Sequence, residues 1–261
     1  MDEQQPKILH RVFYVTGSKG GVGKSLVAKT LAHCINEQNQ RLRIIDTDDS
    51  NPDVDKVYGK FYPSDFIPLN DNAKSWTDFI NRLETITRTG NHHQQRINVV
   101  VNGAARDNKS IEHYGDLLND TCNEGLNYRF ITVWVLNNLQ DSVKLLETYL
   151  KTVTIGTVFA MRNEHFAPSA EFFEFNRVYP LMKRISSVYD FPVLETSVLT
   201  YIDRNNLTFS DVTGMLQVGT RMLLKRWLRD VSIIFSGMFN ILDRLDISDG
   251  VDKVVGNSIE P

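Results

Sequence analysis

Hydrophobic and polar positions alternate along this chain between two rhythms. Short apolar runs, the mark of buried strands, are separated by stretches whose apolar residues recur every three or four positions, the mark of amphipathic helices. The runs are Val12–Val15, Arg43–Asp46, Ile97–Val101, Phe130–Leu136, Thr157–Met161 and a short last one at Phe191–Val193. Helical spacing covers Leu26–Ile35 (Val27, Leu31, Ile35), Trp76–Ile86 (Trp76, Phe79, Ile80, Leu83, Ile86), Ser110–Leu118 and Val143–Leu150. Phe172–Met182 has the same rhythm but carries Pro180, which predicts a bend or stop at Tyr179. The longest pattern is Val212–Leu245, with Leu216, Leu223, Trp227, Val231, Ile234, Met238 and Leu245 along one face. Residues 53–75 mix Pro63 and Pro68 with aromatics and predict an irregular connector holding at most one short helix. Strands that alternate with helices predict an α/β fold, a mostly parallel sheet with helices on both faces. One domain is expected over residues 7–246, with a polar, disordered tail over 247–261.

At 261 residues the chain is long enough for a substantial core, and 41% hydrophobic with 23% charged residues is ordinary for a soluble globular protein. A net charge of −3 excludes a generally basic coat, so any DNA contact must be a local patch. Cys34 and Cys122 are too few for a disulfide framework, and Cys34 reads as a packed thiol. His92 and His93 fall in a polar stretch and read as a solvated turn. No apolar run reaches the ~18 residues of a membrane span and the polar start lacks a signal-peptide profile, so a cytoplasmic location is expected.

The chemistry concentrates at Val12-Phe13-Tyr14-Val15-Thr16-Gly17-Ser18-Lys19-Gly20-Gly21-Val22-Gly23-Lys24-Ser25. A strand, a glycine-rich turn and a helix follow one another there, the context a phosphate-binding loop requires. Gly20, Gly21 and Gly23 let the backbone bend until successive N–H groups converge on one anion, and the positive end of the next helix points at the same spot. Val22 and Leu26 complete the expected nucleotide-binding set. Lys24 is placed to neutralise the β- and γ-phosphates, and the Ser25 hydroxyl to ligate Mg²⁺. The bland alternative is a glycine-rich turn that binds nothing.

Ser18 stands where the strict phosphate-loop pattern has its first glycine, and what fits instead is Lys19-Gly20-Gly21-Val22-Gly23-Lys24-Ser25. That variant, with its second lysine, resembles the deviant Walker A motif of the ParA/MinD ATPases. Asp46, Asp48, Asn51 and Pro52 resemble the family's acidic strand end. The resemblance implies a P-loop NTPase fold and ATP with Mg²⁺ as cofactors. It places Asp46 near the metal shell, Asp48 on the attacking water and Asn163 on the adenine edge, though an Asn at a strand end is otherwise a turn former. It also implies an ATP-dependent homodimer in which Lys19 crosses to the partner's phosphates, which makes Lys19, Lys24 and Asp48 the catalytic set.

One position departs from the family. The strand Ile97–Val101 runs into Asn102 where a Walker B strand ends in an acid, so hydrolysis is expected to be slow and an aspartate there to raise it. Asn102-Gly103-Ala104, Val158–Pro168, Leu207-Thr208-Phe209 and the helix Arg221–Arg229 look closest to the TraL/StbB-like branch of conjugative-plasmid proteins.

Arg221, Lys225 and Arg229 stand four apart with Arg226 beside them, a stripe of one sign in an acidic protein. It reads as a non-specific DNA contact, as a partner for acids on another protein, or as a solvated face. The leading function is therefore an ATPase that positions or partitions plasmid DNA or a conjugative transfer complex, with a partition or relaxosome protein as partner. A MinD-like membrane-positioning ATPase would need a terminal amphipathic helix free for lipid, which the polar tail does not supply. A metabolic ATP-dependent amidase or synthetase would need a second substrate site, and none is visible. A nucleotide-bound interaction protein with little turnover also stays open because of Asn102.

Overall fold

The computed structural model describes residues 8–92, 95–104, 107–121, 124 and 126–248; His93, Cys122 and positions 249–261 of the expected tail lie outside them. The elements follow in the order β1 (His10–Gly17), α1 (Lys24–Glu37), β2 (Arg41–Asp46), α2 (Asp53–Tyr58), β3 (Ser64–Phe66), α3 (Ala73–His92), β4 (Ile97–Asn102), α4 (Asp107–Tyr114), α5 (Leu117–Thr121) and β5 (Tyr128–Leu136). Then come α6 (Gln140–Thr152), β6 (Thr157–Asn163), α7 (Phe173–Val178), β7 (Ile185–Phe191), α8 (Thr196–Asn205), α9 (Phe209–Met215) and α10 (Val218–Ser248).

The seven strands form one sheet in the order β3-β2-β4-β1-β5-β6-β7, and every neighbouring pair is parallel. The inner strands β1, β4, β5 and β6 are buried on both sides, which is why their apolar runs show no polar alternation. Within β1, Phe13 and Val15 face a core shared with α1, α2 and α8–α10, while Val12 and Tyr14 face a second core shared with α3–α7. The central β1 has β4 on one side and β5 on the other. The chain reverses its direction of travel across the sheet at this point, and the crevice at the carboxyl ends of the strands opens there.

Five local expectations are corrected. The 53–75 connector contains β3 as well as α2; Ser64-Asp65-Phe66 carries little strand preference of its own and is recruited by pairing with Ile44–Asp46. Helix α3 runs to His92, so that residue ends a helix and is not part of a turn. The last strand is Ile185–Phe191, earlier than expected, because as a half-exposed sheet edge it lacks a continuous apolar run. The long helical pattern is broken: α9 ends at Met215, Leu216 is extended with ψ 149, and α10 starts afresh at Val218. The break resets the helical phase. Leu223 is consequently exposed, and the buried face is Leu224, Trp227, Val231, Phe235, Met238, Phe239 and Leu242. Ile247 and Ser248, assigned to the tail from sequence, are helical.

Helix α10 spans the height of the sheet. Near its start the Trp227 indole Nε1 donates to the Pro192 carbonyl just past β7, at the carboxyl edge, 2.9 Å away. Near its end Asp246, only 3% exposed, meets arginines from the opposite edge: Arg11 of β1 at 2.6 Å, Arg129 of β5 at 2.6 Å and Arg96, just before β4, at 3.2 Å. Asp243 adds a second acid to Arg11 at 2.5 Å.

Candidate nucleotide-binding site

The glycine loop joins the carboxyl end of β1 to the amino end of α1, as its sequence requires. Gly21 has φ 76 and Gly23 φ 102, backbone settings that side chains with a Cβ rarely adopt. At Gly23 space forbids a side chain as well, since a Cβ would come within 2.5 Å of Asn163 Nδ2. Gly20 and Gly21 are exposed, Val22 is buried beneath them, Ser25 stands half-exposed on the first turn of α1, and Leu26 packs against the core. Lys24 is buried, and its Nζ donates across the loop to the Lys19 carbonyl oxygen at 3.0 Å. The ammonium is thereby held over the cradle.

Around the loop the structure adds contacts that sequence spacing does not contain. Ser18, the residue in place of the first glycine, is buried and its hydroxyl accepts from Ser142 Oγ of α6 at 2.8 Å. Asn163 at the end of β6 donates from Nδ2 to the Val22 carbonyl at 2.9 Å, and its Oδ1 accepts from the His165 N–H. Its amide is thus bonded to the loop through one N–H and one lone pair. Lys19 reaches the other way: its Nζ lies 3.0 Å from Asp141 Oδ2 in the first turn of α6, both side chains exposed. The hydrogen bond from Lys19 holds the Asp141 carboxyl below the usual carboxylate range. Asp141 carried no signal in sequence, being an ordinary acid at the start of a helix 122 residues away.

The acidic strand end lies two strands from β1, with β4 between them. Asp46 is fully buried, and its carboxylate accepts four hydrogen bonds: from Asp48 N–H at 3.2 Å and Asn102 Nδ2 at 2.9 Å on Oδ1, and from Val54 N–H and Asp55 N–H at 3.0 Å on Oδ2. Asp46 therefore caps the start of α2 from a distance, satisfying amide groups that a short helix leaves open. Burial pushes its carboxyl up, while the bonds from Asp55, Asn102, Asp48 and Val54 pull the other way. Asp48 Oδ1 accepts from Ser50 N–H, Ser50 Oγ and Asn51 N–H, which folds the loop after β2 around it.

Asn102 sits between the two halves of the site. It pairs in register with Asp46 on one side and Val15 on the other, and is fully buried. Its amide nitrogen serves Asp46, and its Oδ1 has no hydrogen-bond partner. A buried acceptor without a donor suits a water of a hydrated Mg²⁺ better than Asp46 does, whose oxygens already accept four hydrogen bonds. Among the described residues no group of three or more His, Cys, Asp or Glu side chains stands ready for a metal ion.

The basic stripe lies on the first part of α10. Because each step of four residues turns the side chain by about 40°, the stripe winds round the helix. Arg221 is half-buried with an unpartnered Nε, while Lys225, Arg226 and Arg229 are exposed. Through the Trp227–Pro192 contact these cations sit at the carboxyl edge, the edge that carries the loop. Three strand spacings separate β7 from β1, roughly 14 Å.

A protein-family profile of the ParA group, described as an NUBPL iron-transfer P-loop NTPase, matches residues 8–73, the stretch from β1 through the loop to the start of α3. Protein MobD of Acidithiobacillus ferrooxidans is 31% identical over 232 residues, covering 88% of this chain and 98% of that protein. The chain belongs to the family of MobD, and its residues 8–73 match the ParA-type P-loop NTPase domain. Among solved structures, the cell division protein FtsY of Thermotoga maritima has 12% identity and a TM-score of 0.50, covering 70% of this chain and 62% of that one. Apo McdA of Cyanthece has 11% identity and a TM-score of 0.49, covering 85% and 100%. The FtsY likeness concerns the fold alone. For a ParA-type NTPase the deviant lysine, the loop lysine and the loop serine are thus in the expected strand–loop–helix setting, and nucleotide hydrolysis is the activity of the family at large. No helix among the described residues is long and apolar enough to cross a membrane.

Proposed function

We propose that this protein is an ATP-dependent positioning ATPase: it binds ATP with Mg²⁺, associates with a second copy of itself, and separates after slow hydrolysis. The observation that carries the reading is the loop itself, in which Lys24 spans the cradle and Lys19 points outward from it. A lysine that faces away from its own phosphate site is suited to the phosphates of a partner. In the resting chain Asp141 gives that lysine a counter-charge.

Lys24 and the backbone amides of Gly20–Gly23 bind the phosphates. The Ser25 hydroxyl would hold Mg²⁺, with Asp46 and Asn102 as supporting polar groups, and the metal would supply positive charge to neutralise the phosphates. Asp48 orients the attacking water. Asn163 stiffens the loop beneath the nucleotide and lies beside the place of the base. With an amide at position 102, the metal shell has less negative charge than its relatives' acid would give, so turnover is slow. The cargo is DNA or a protein bound to it, held through the exposed cations of α10, in a partition or conjugative-transfer setting.

Calorimetric titration with ATP–Mg²⁺ tests the core of this reading. Saturable binding that Lys24→Ala removes is expected, and a wild-type protein that binds no ATP sinks it. Light scattering tests the second step: ATP should roughly double the mass of wild type but not of Lys19→Ala, while the affinity of that variant stays close to normal.

A further inference from the structure

The exposed face of α10 is not simply basic. Val218, Met222 and Ile233 are 66%, 53% and 67% exposed, on the same side of the helix as Lys225, Arg226 and Arg229. The order along the face is apolar, basic, apolar, over a length of about 23 Å. Among the described residues Lys225 and Arg226 form no ion pair, and Arg229 reaches only Asp230 at 3.7 Å with both side chains exposed.

Each candidate occupant makes a different demand. Phosphate groups use cations and give nothing for large apolar side chains left in water. A lipid surface wants a continuous apolar face with cations at its borders. Here the cations interrupt the apolar stripe at its middle. A second copy laid antiparallel on the same face would set arginine against arginine. What complements the face is a helix with apolar residues at its ends and acids at its centre.

We propose that this face docks a partner protein through such an acidic-centred amphipathic helix, so that protein, not bare DNA, is what α10 holds. The proposal rests on the reading that α10 carries the cargo. Helix-on-helix docking of this kind gains affinity from the apolar anchors and register from the charges. The location adds to it: the face begins at the carboxyl edge of the sheet, where nucleotide state is sensed, so an occupied face is within reach of the association cycle.

The test uses the full chain and four probes in fluorescence anisotropy, light scattering and sedimentation. They are a designed helical peptide with leucines at both ends and glutamates at its centre, random duplex DNA, vesicles of phosphatidylglycerol and phosphatidylcholine, and the protein alone. Two triple variants are compared, Val218→Ser/Met222→Ser/Ile233→Ser and Lys225→Gln/Arg226→Gln/Arg229→Gln. All six positions are exposed, and circular dichroism confirms that the variants fold. The peptide should bind wild type and lose at least about tenfold in affinity in each variant. The proposal is overturned if the peptide fails to bind at low salt, or if the apolar variant binds it as wild type does. DNA binding lost only in the charge variant, with no peptide binding, returns the face to DNA. Vesicle binding, or self-association, that the apolar variant abolishes assigns it to lipid or to a second copy and likewise overturns the proposal. None of these measurements uses ATP, so failure of the ATPase reading would appear separately, as absent nucleotide binding.

Discussion

A second carboxylate at position 102 would stand within hydrogen-bond distance of Asp46, in a site where neither touches water. Two acids so placed cannot both ionise, and the amide avoids the conflict by donating. Asn102→Asp should therefore destabilise the fold by about 1–3 kcal/mol, read as a lower urea midpoint. The gain in turnover expected from the sequence would come together with that loss of stability. The exchange Asp46→Asn/Asn102→Asp should recover much of the loss, because one acid and one amide again face each other; if it recovers nothing, the pair is not what holds this site. At the loop, Gly23→Ala should cost more than about 1 kcal/mol, through both its φ of 102 and the clash with Asn163. Adding Asn163→Ala should relieve the clash and leave the backbone strain, a non-additivity that a double-mutant cycle in urea denaturation measures. Lys19, Lys24 and Ser25 were legible in the chain because their relation is local, set by spacing along a single loop. The contacts of Asp141, Ser142 and Asn163 were not: each joins the loop to an element more than a hundred residues away, and nothing in their own surroundings marks them.

Elements buried on both sides read clearly, and those at the margins did not. β1, β4, β5 and β6 announced themselves by unbroken apolar runs because both faces of the sheet are covered. β3 and β7 are edge strands whose residues answer to one neighbour only. The division between α9 and α10 was hidden for a different reason: Leu216, Trp227 and Val231 are all buried, so the apolar spacing continues across a break that belongs to the backbone. The beginning of α9 is firmly marked, with the Thr208 hydroxyl accepting from Asp211 N–H while the Asp211 side chain accepts from Thr208 N–H. Thr208→Ala should cost about 0.5–2 kcal/mol in thermal or urea unfolding, since it strips the Asp211 N–H of its acceptor while keeping only the bond from Thr208 N–H to the Asp211 side chain. A variant as stable as wild type would mean that tertiary packing of Phe209 and Val212 alone fixes the helix.

For the molecule as a whole, the arginine cluster at the amino edge of the sheet ties three segments of the central sheet to the last helix. Removing Asp246 would leave Arg11, which is 1% exposed, with Asp243 alone, and would take from Arg129 its contact at 2.6 Å. Asp246→Ala should cost about 3–5 kcal/mol in urea unfolding, the usual penalty for stranding a buried charge. Asp78→Ala, which breaks the exposed Lys74–Asp78 pair on α3, should cost about 0–1 kcal/mol. If the two variants lose equal stability, the burial of the cluster is not what matters. Added salt should weaken the exposed pair far more than the buried one.

The same cluster sets an order of events during synthesis. Arg11 is translated well before its acids, which follow 232 and 235 residues later. Until they emerge, the nascent sheet carries uncompensated arginines on its amino edge, and the core beneath α10 is open to water. Contacts of such long range form slowly, so the first seven strands must wait for the final helix before the protein becomes stable. A ribosome that stalls ahead of Asp243 would release a chain complete in its phosphate loop yet unable to close, an early client for chaperones and proteases.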